Sequence, residues 1–476
     1  MRRLFCIPSP FLAKEAGLGY PYPWEWMSPG GLPGLQNRWR VALRAAVGST
    51  PIHSRLVTGE ARVRWKLLFP SWKWCLMENS VDIRRMDAVI SRIFRIDDIT
   101  IGTSENDYIV RYRGQLRAED SEAAYDQLRE ELKPLSVTPL FRWDGDRHAI
   151  LLVPEKPQPN PSNPWVNLGM FLLTLLSVAL VGGLNELTEP PANLLRELPG
   201  YILRGWPFAA SLLAILGAHE FGHYLVGRFH GVPVTLPYFI PLPIQPFGTM
   251  GAVINMKEPP KNRKHLLDIG LAGPLAGLAV AIPILILGLS LSNVDTLPSE
   301  MPQGMGLILE GNSILYFLLK FAVFGQLLPA PTSFGGTPEW LFWARYMFTG
   351  QPAPLGGLDV TLHPVALAGW AGILVTALNL LPAGQLDGGH VMYVLLGRQR
   401  AQRLVPFLLA FIALLGLFWY GWWLWVALIF FLGRAHAEPL DQITPLDNGR
   451  RALAVLAVII FFLVFTPVPM IWIGSV

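Results

Sequence analysis

The stretch Gly217-Ala-His-Glu-Phe-Gly-His-Tyr224 decides how this chain is read. His219 and His223 are four residues apart, so on a helix both imidazoles leave the same face. Two imidazoles on one face can grip a single Zn²⁺. Glu220 is then placed to take a proton from metal-bound water. Apolar sequence precedes the triplet for roughly three turns. Ionisable groups at such depth are expensive and mark function. The pattern points to a metal-dependent hydrolase working inside a membrane.

The rest of the composition agrees. Of 476 residues, 52% are hydrophobic and 15% charged, with a mean hydropathy of +0.38. A soluble domain is about a quarter charged, so the chain falls in the polytopic membrane class. The net charge of +4 is small and gives no sign of a nucleic-acid partner. The two cysteines, Cys6 and Cys75, lie outside the apolar runs. Neither a disulfide framework nor a cysteine metal site is implied, so zinc must use His and carboxylate.

Outward from the histidine helix, apolar runs at 166–184, 202–226, 269–291, 364–381 and 453–465 read as spans. The run 404–432 is too long for one span. Trp419-Tyr-Gly-Trp422 in its middle predicts two short helices and a tight turn. Residues 312–326 are apolar but short and hold Lys320, which predicts an interfacial or re-entrant piece. The expectation is a polytopic α-helical membrane protein of about seven spans. Loop charge orients it. Arg228, Lys257, Lys261, Arg263 and Lys264 follow the histidine helix, and Arg398, Arg400, Arg403, Arg434, Arg450 and Arg451 flank later spans on the same side. Glu186, Glu197, Asp295, Glu300 and Glu310 fall on the other. The histidine end is therefore expected in the cytosol, or its topological equivalent. A bacterial cell membrane is the first expectation and a plastid membrane the second.

Ahead of the spans, residues 1–85 carry roughly 13 basic against 5 acidic residues and show no sustained period. They read as a basic, disordered arm, a transit segment, or sequence upstream of a true start at Met86. Residues 86–154 read as a small α+β soluble domain. Strands run between Ile99 and Tyr112, broken by a polar turn at Ser104–Asp107. A helix capped by Asp120 or Ser121 carries Tyr125, Leu128 and Leu132 on one face and ends at Pro134. A hairpin then turns at Asp144-Gly145. His148 is an ordinary strand residue. The Pro- and Asn-rich residues 155–165 are a linker, and 166–470 the membrane domain.

Two histidines leave zinc short of a protein ligand, because catalytic sites keep three plus an open position. Asp387, in Asn379-Leu-Leu-Pro-Ala-Gly-Gln-Leu-Asp-Gly-Gly-His390, sits at the same membrane level. Without a cation its carboxylate would be badly desolvated. Asn379, Pro382 and Gly384 break the helix there, which is tolerated where backbone lines a polar cavity. Gly388 and Gly389 allow close backbone approach. His390 is the rival ligand. His230, His265, His363 and His436 flank spans and read as interfacial.

On these residues the chain resembles the site-2 proteases, intramembrane zinc metalloproteases that cut transmembrane substrates. That family carries HExxH on one helix and NxxPxxxxDG on another. Here they read His219-Glu-Phe-Gly-His223 and Asn379-Leu-Leu-Pro382-Ala-Gly-Gln-Leu-Asp387-Gly388, both complete. A GxxxN/S/G element matches Gly273-Pro-Leu-Ala-Gly277. The resemblance implies that His219, His223 and Asp387 hold zinc and that Glu220 is the catalytic base. Asn379 would position substrate or the oxyanion, with Pro382, Gly388, Gly273 and Gly277 in support. Close packing of spans is an equal role for the last two. The endings His436-Ala-Glu-Pro-Leu and Thr466-Pro-Val-Pro469, with the soluble domain, look like a subgroup found in photosynthetic and other bacteria and in plastids.

A helical substrate hides its carbonyls, so it must be unwound before cleavage. Strand-like pieces at 237–242 and 251–255 are expected to offer an edge for it to pair with. Two other classes compete. A silent binder of transmembrane clients would have little need of Glu220. A metal transporter would need further His or Asp along several spans, and these are missing.

Overall fold

The computed structural model describes residues 83–474 apart from 104–105, 156–161, 187–193, 245, 302–305 and 434–437. The readings of the basic arm, of most of the linker and of His436 lie outside these residues.

A small α+β unit comes first. Helix α1 (Ile83–Ile93) leads into strands β1 (Phe94–Ile101) and β2 (Val110–Leu116), then helix α2 (Ser121–Leu132), then β3 (Val137–Asp144) and β4 (Arg147–Pro154). The strands form one antiparallel sheet in the order β1-β2-β4-β3. Asp120 caps α2 as expected, accepting from the amides of Glu122 and Ala123. Met86, Ile90, Tyr125 and Leu128 pack on Tyr112, Phe141 and Ile150 of the sheet. His148 Nδ1 accepts from the Leu116 amide at 3.1 Å, a structural role within the sheet. Helix α1 was not foreseen, and the helix starts at Ile83 rather than Met86. Its apolar residues Ile83, Met86, Ile90 and Ile93 do recur at helical spacing, but a division at Met86 cuts the helix and leaves its first turn in the basic arm.

The membrane part centres on α6 (Arg263–Ser290), which packs on α5 (Trp206–Phe229), α9 (Pro364–Asn379) and α10 (Asp387–Leu396). Helix α3 (Pro164–Leu184) begins with Asn163 as cap and Pro164 in the first turn. Helix α4 (Leu194–Arg204) meets α5 at a bend of 56°. Between α5 and α6 lies a two-stranded hairpin, β5 (Tyr238–Pro241) with β6 (Thr249–Val253). Strand β5 lies against α3, where Asn167 donates to the Leu236 and Pro237 carbonyls. Strand β6 has no second strand partner among the described residues.

At the other end of the bundle, β7 (Asn293–Thr296) pairs with β9 (Leu358–Thr361), and β8 (Gly306–Glu310) with β10 (Met470–Gly474). Helices α7 (Ile314–Phe324) and α8 (Glu339–Thr349) belong to the same cap. Helices α11 (Arg398–Leu415), α12 (Gly421–Leu432) and α13 (Asn448–Val464) complete the bundle. The run 404–432 is indeed two helices, and α7 is only 11 residues long, as its sequence predicts.

Among the described residues two helices, α3 and α6, are long and apolar enough to cross a membrane, or three if the bent α4–α5 pair counts as one span. The structure thus stops short of the seven expected. Helix α9 has 16 residues, about 24 Å of rise against a hydrocarbon layer of about 30 Å.

The α+β unit is docked by its sheet edge. The Phe141 amide donates to the Leu440 carbonyl at 3.0 Å, and the Gln442 amide to the Phe141 carbonyl at 3.1 Å. On its other side the same segment pairs with the entry to α6: the Leu440 amide donates to the Pro260 carbonyl and Asp441 to that of Lys261. Leu440 and Ile443 enter the core of the α+β unit. Glu122 of α2 accepts from Asn262 at 2.9 Å and Lys264 at 2.8 Å.

Candidate metal centre

His219, Glu220 and His223 are all buried on α5; the two histidines lie one turn apart on the face toward α6, and Glu220 follows His219 directly. Helix α9 stops at Asn379, and the chain crosses residues 380–386, including Pro382, before α10 starts at Asp387. The break was expected from Asn379, Pro382 and Gly384. It puts the Asp387 carboxylate at a helix N-terminus, where the dipole favours negative charge. A Cβ on Gly388 would stand 1.9 Å from the Leu380 carbonyl oxygen, so the turn closes only with glycine there.

The break brings Asp387 to the two histidines. Its Oδ2 lies 3.4 Å from the Nε2 atoms of both His219 and His223. The two Nε2 atoms are 3.2 Å apart. A regular tetrahedron with metal–ligand bonds of about 2.0–2.1 Å has edges of about 3.3–3.4 Å. The three atoms therefore form one face of a zinc tetrahedron of nearly correct size, and the residues fit the ion.

The imidazole of His223 is held in the orientation that would let Nε2 act as a ligand. Its Nδ1 lies 2.7 Å from the Ile269 carbonyl of α6. A carbonyl only accepts, so Nδ1 carries the proton and Nε2 presents its lone pair. Gly273 makes room for the ring: a Cβ there would meet Nε2 at 2.0 Å. Gly277 faces His219, with a Cβ at 3.3 Å from Nδ1. Both glycines thus touch the histidines rather than an open cleft. Asn379 Nδ2 lies 3.2 Å from His219 Nε2, at the rim of the same cluster.

The rival ligand is elsewhere. His390 is buried against Gly270 of α6 and is not among the three converging groups. His230 binds Asp268 at 3.0 Å and stacks on His265, with ring centroids 4.0 Å apart. His363 caps α9. Among the described residues, His219, His223 and Asp387 are the one group of three His, Cys or acidic side chains whose ligand atoms converge.

Sequence reasoning missed Ile269, because a backbone carbonyl has no side-chain signature.

The sequence model of "Peptidase family M50" matches residues 207–418, which hold every group described above. The chain is also similar to "Probable zinc metalloprotease EGY2, chloroplastic" of Arabidopsis thaliana, 27% identical over 411 residues, covering 84% of this chain and 67% of that protein. The protein of the same name from Oryza sativa subsp. indica is 27% identical over 408 residues, covering 83% and 68%. "Probable zinc metalloprotease EGY1, chloroplastic" of Arabidopsis thaliana is 29% identical over 339 residues, covering 67% and 56%.

Proposed function

From a chain that belongs to peptidase family M50, the site-2 proteases, we infer an enzyme that hydrolyses peptide bonds in or near the transmembrane helices of other proteins. It is a zinc-dependent protease with a membrane location. The observation that carries the finer reading is the triangle of His219, His223 and Asp387, with buried Glu220 beside it on α5.

In this reading His219, His223 and Asp387 hold the zinc. Bound zinc supplies Lewis acidity, which makes water reactive near neutral pH and polarises the scissile carbonyl. Glu220 takes the proton from the attacking water and returns it to the leaving amine. The Ile269 carbonyl fixes the His223 ring, and the amide of Asn379, beside His219, orients the substrate carbonyl or its oxyanion. Pro382 and Gly388 hold the turn that delivers Asp387. The substrate enters unwound and adds to the free edge of β6, where Met250 and Val253 are exposed.

We divide the chain into a basic arm ahead of Ile83, the α+β unit from α1 to residue 154, a linker (155–165) and the protease domain (166–470). The short apolar helices fill the same layer as α3 and α6, giving about seven crossings. Loop charge places the zinc end and the α+β unit on the cytosolic side or its equivalent; the similar proteins are named chloroplastic.

The test is Glu220→Gln, purified and assayed against co-expressed single-span proteins. The expected outcome is full zinc content with cleavage reduced by about 10²–10⁴-fold. Cleavage at the wild-type rate would exclude Glu220 as base, and loss of zinc would give it a ligand's role instead.

A further inference from the structure

A second polar cluster lies where α5, α6 and α13 meet. Asp268 of α6 receives Arg450 of α13 in a two-pronged grip, Nε to Oδ1 at 2.8 Å and Nη2 to Oδ2 at 2.6 Å. Its Oδ2 also meets His230 Nε2 at 3.0 Å. His230 is the C-cap of α5, the helix that carries the zinc histidines. Arg450 is pinned from the other side by Asp447, which caps α13. One carboxylate thus ties together three helix ends.

Asp268 is followed directly by Ile269, whose carbonyl holds the Nδ1 of His223. The hydrogen bond that sets the ligating tautomer spans α5 and α6, and it survives only if those helices keep their register. The Asp268 cluster joins the same two helices one residue away on α6 and seven residues along on α5. That link is made by His230, and the Arg450 fork from α13 keeps the Asp268 carboxylate from sliding or rotating away from it, because both of its bonds must be kept at once.

We propose that Asp268, with Arg450 and His230, is a positioning residue for the zinc centre. Its contact with His230 holds α6 to the end of α5, and the Arg450 fork from α13 fixes the Asp268 carboxylate where it makes that contact, so that the Ile269 carbonyl keeps the His223 ring turned toward the metal. The proposal rests on the zinc reading of the preceding subsection. Outer partners of metal-bound histidines govern affinity as well as rate, and their loss typically costs about 10–100-fold in metal binding.

The experiment measures zinc affinity of the purified full chain by competition with a chelator, alongside thermal unfolding. Asp268→Asn and Arg450→Gln should each weaken zinc binding by about 10–100-fold. The double variant should be no worse than the weaker single one, since both break one grip. Arg450→Lys keeps the charge but not the fork, and is the milder variant should Asp268→Asn fail to fold; it should still weaken zinc binding. Asp447→Ala is the control: it removes the α13 cap and lowers stability but leaves the Asp268–Arg450 grip, so zinc affinity should hold. Wild-type affinity in Asp268→Asn or Arg450→Lys, additive losses in the double variant, or an equal loss in Asp447→Ala would overturn the proposal. Asp387→Asn tests the underlying reading separately: it should abolish zinc binding, and its failure to do so would reject the metal centre itself.

Discussion

Replacing Gly273 by alanine is a direct test of the metal centre, because the structure predicts which property survives. The added Cβ would stand 2.0 Å from His223 Nε2, 2.4 Å from Cδ2 and 2.5 Å from Cε1. Ordinary contact needs about 3.5 Å, so the ring tip must retreat by about 1.5 Å. Zinc bonds tolerate only about 0.2 Å. A shift several times larger takes Nε2 out of the coordination sphere. The obstructed atoms are the far end of one side chain, not backbone, so the ring can swing aside and the helix pair can remain packed. Gly273→Ala should therefore still fold and insert, at a cost of about 1–3 kcal/mol for the displaced ring and its lost bond to Ile269, yet bind little zinc and cleave nothing. Gly277→Ala is the graded comparison: its Cβ meets His219 at 3.3 Å, which a shift of a few tenths of an ångström relieves. It should keep most of its zinc. The assay is elemental zinc per mole of purified protein, with cleavage measured on the same samples. A Gly273→Ala protein with stoichiometric zinc and normal cleavage would show that His223 Nε2 is not a ligand in the position described.

Three further outcomes are expected. Val253→Pro should impair cleavage while zinc stays bound, since proline removes an N–H and blocks pairing on β6; normal cleavage would reject the strand-edge route for substrate. Asp120→Ala should lower the stability of the α+β unit by about 1 kcal/mol, measured by thermal unfolding, because two α2 amides lose their acceptor. Burial alone would raise the Glu122 carboxyl, but Lys264 and Lys261 outweigh it and hold it at about 2. Its folded value lies below the unfolded value of about 4.3, so its contribution is complete above about pH 4.3 and fades as pH falls toward 2. Hydrogen exchange at the α2–α6 junction should show that loss, and Glu122→Gln should flatten it; an unchanged profile in the variant would mean another group governs docking.

The centre was legible because its chemistry is local in sequence. Four-residue spacing fixes His219 and His223 to one face, and a helix-breaking run announces the turn that delivers Asp387. The hairpin at Asp144-Gly145 and the cap at Asp120 were legible for the same reason. Other parts had no such signature. The contact of Ile269 with His223 is made by backbone, which every residue carries. The pairing of Phe141 with Leu440 and Gln442 joins segments some three hundred residues apart, and no local pattern encodes it. Helix α1 was cut by the division at Met86, which parted Ile83 from Met86, Ile90 and Ile93 on the same face. Span length failed differently: hydropathy locates an apolar run, but caps and prolines decide where its helix ends, as at Asn379.

The shared edge at Phe141 changes what removing the α+β unit would mean. Its rim is finished by residues that arrive only after most of the membrane helices have been made, and those residues are steadied in turn by the doorstep of α6. Cutting the unit away would strip Leu440 and Ile443 of their cover and leave Lys261 and Lys264 without their acidic partner. A truncated enzyme that proved inactive would be an injured catalyst, not one relieved of a regulator. The unit belongs to the chassis, and transplanting it between relatives would require carrying the 438–444 segment with it.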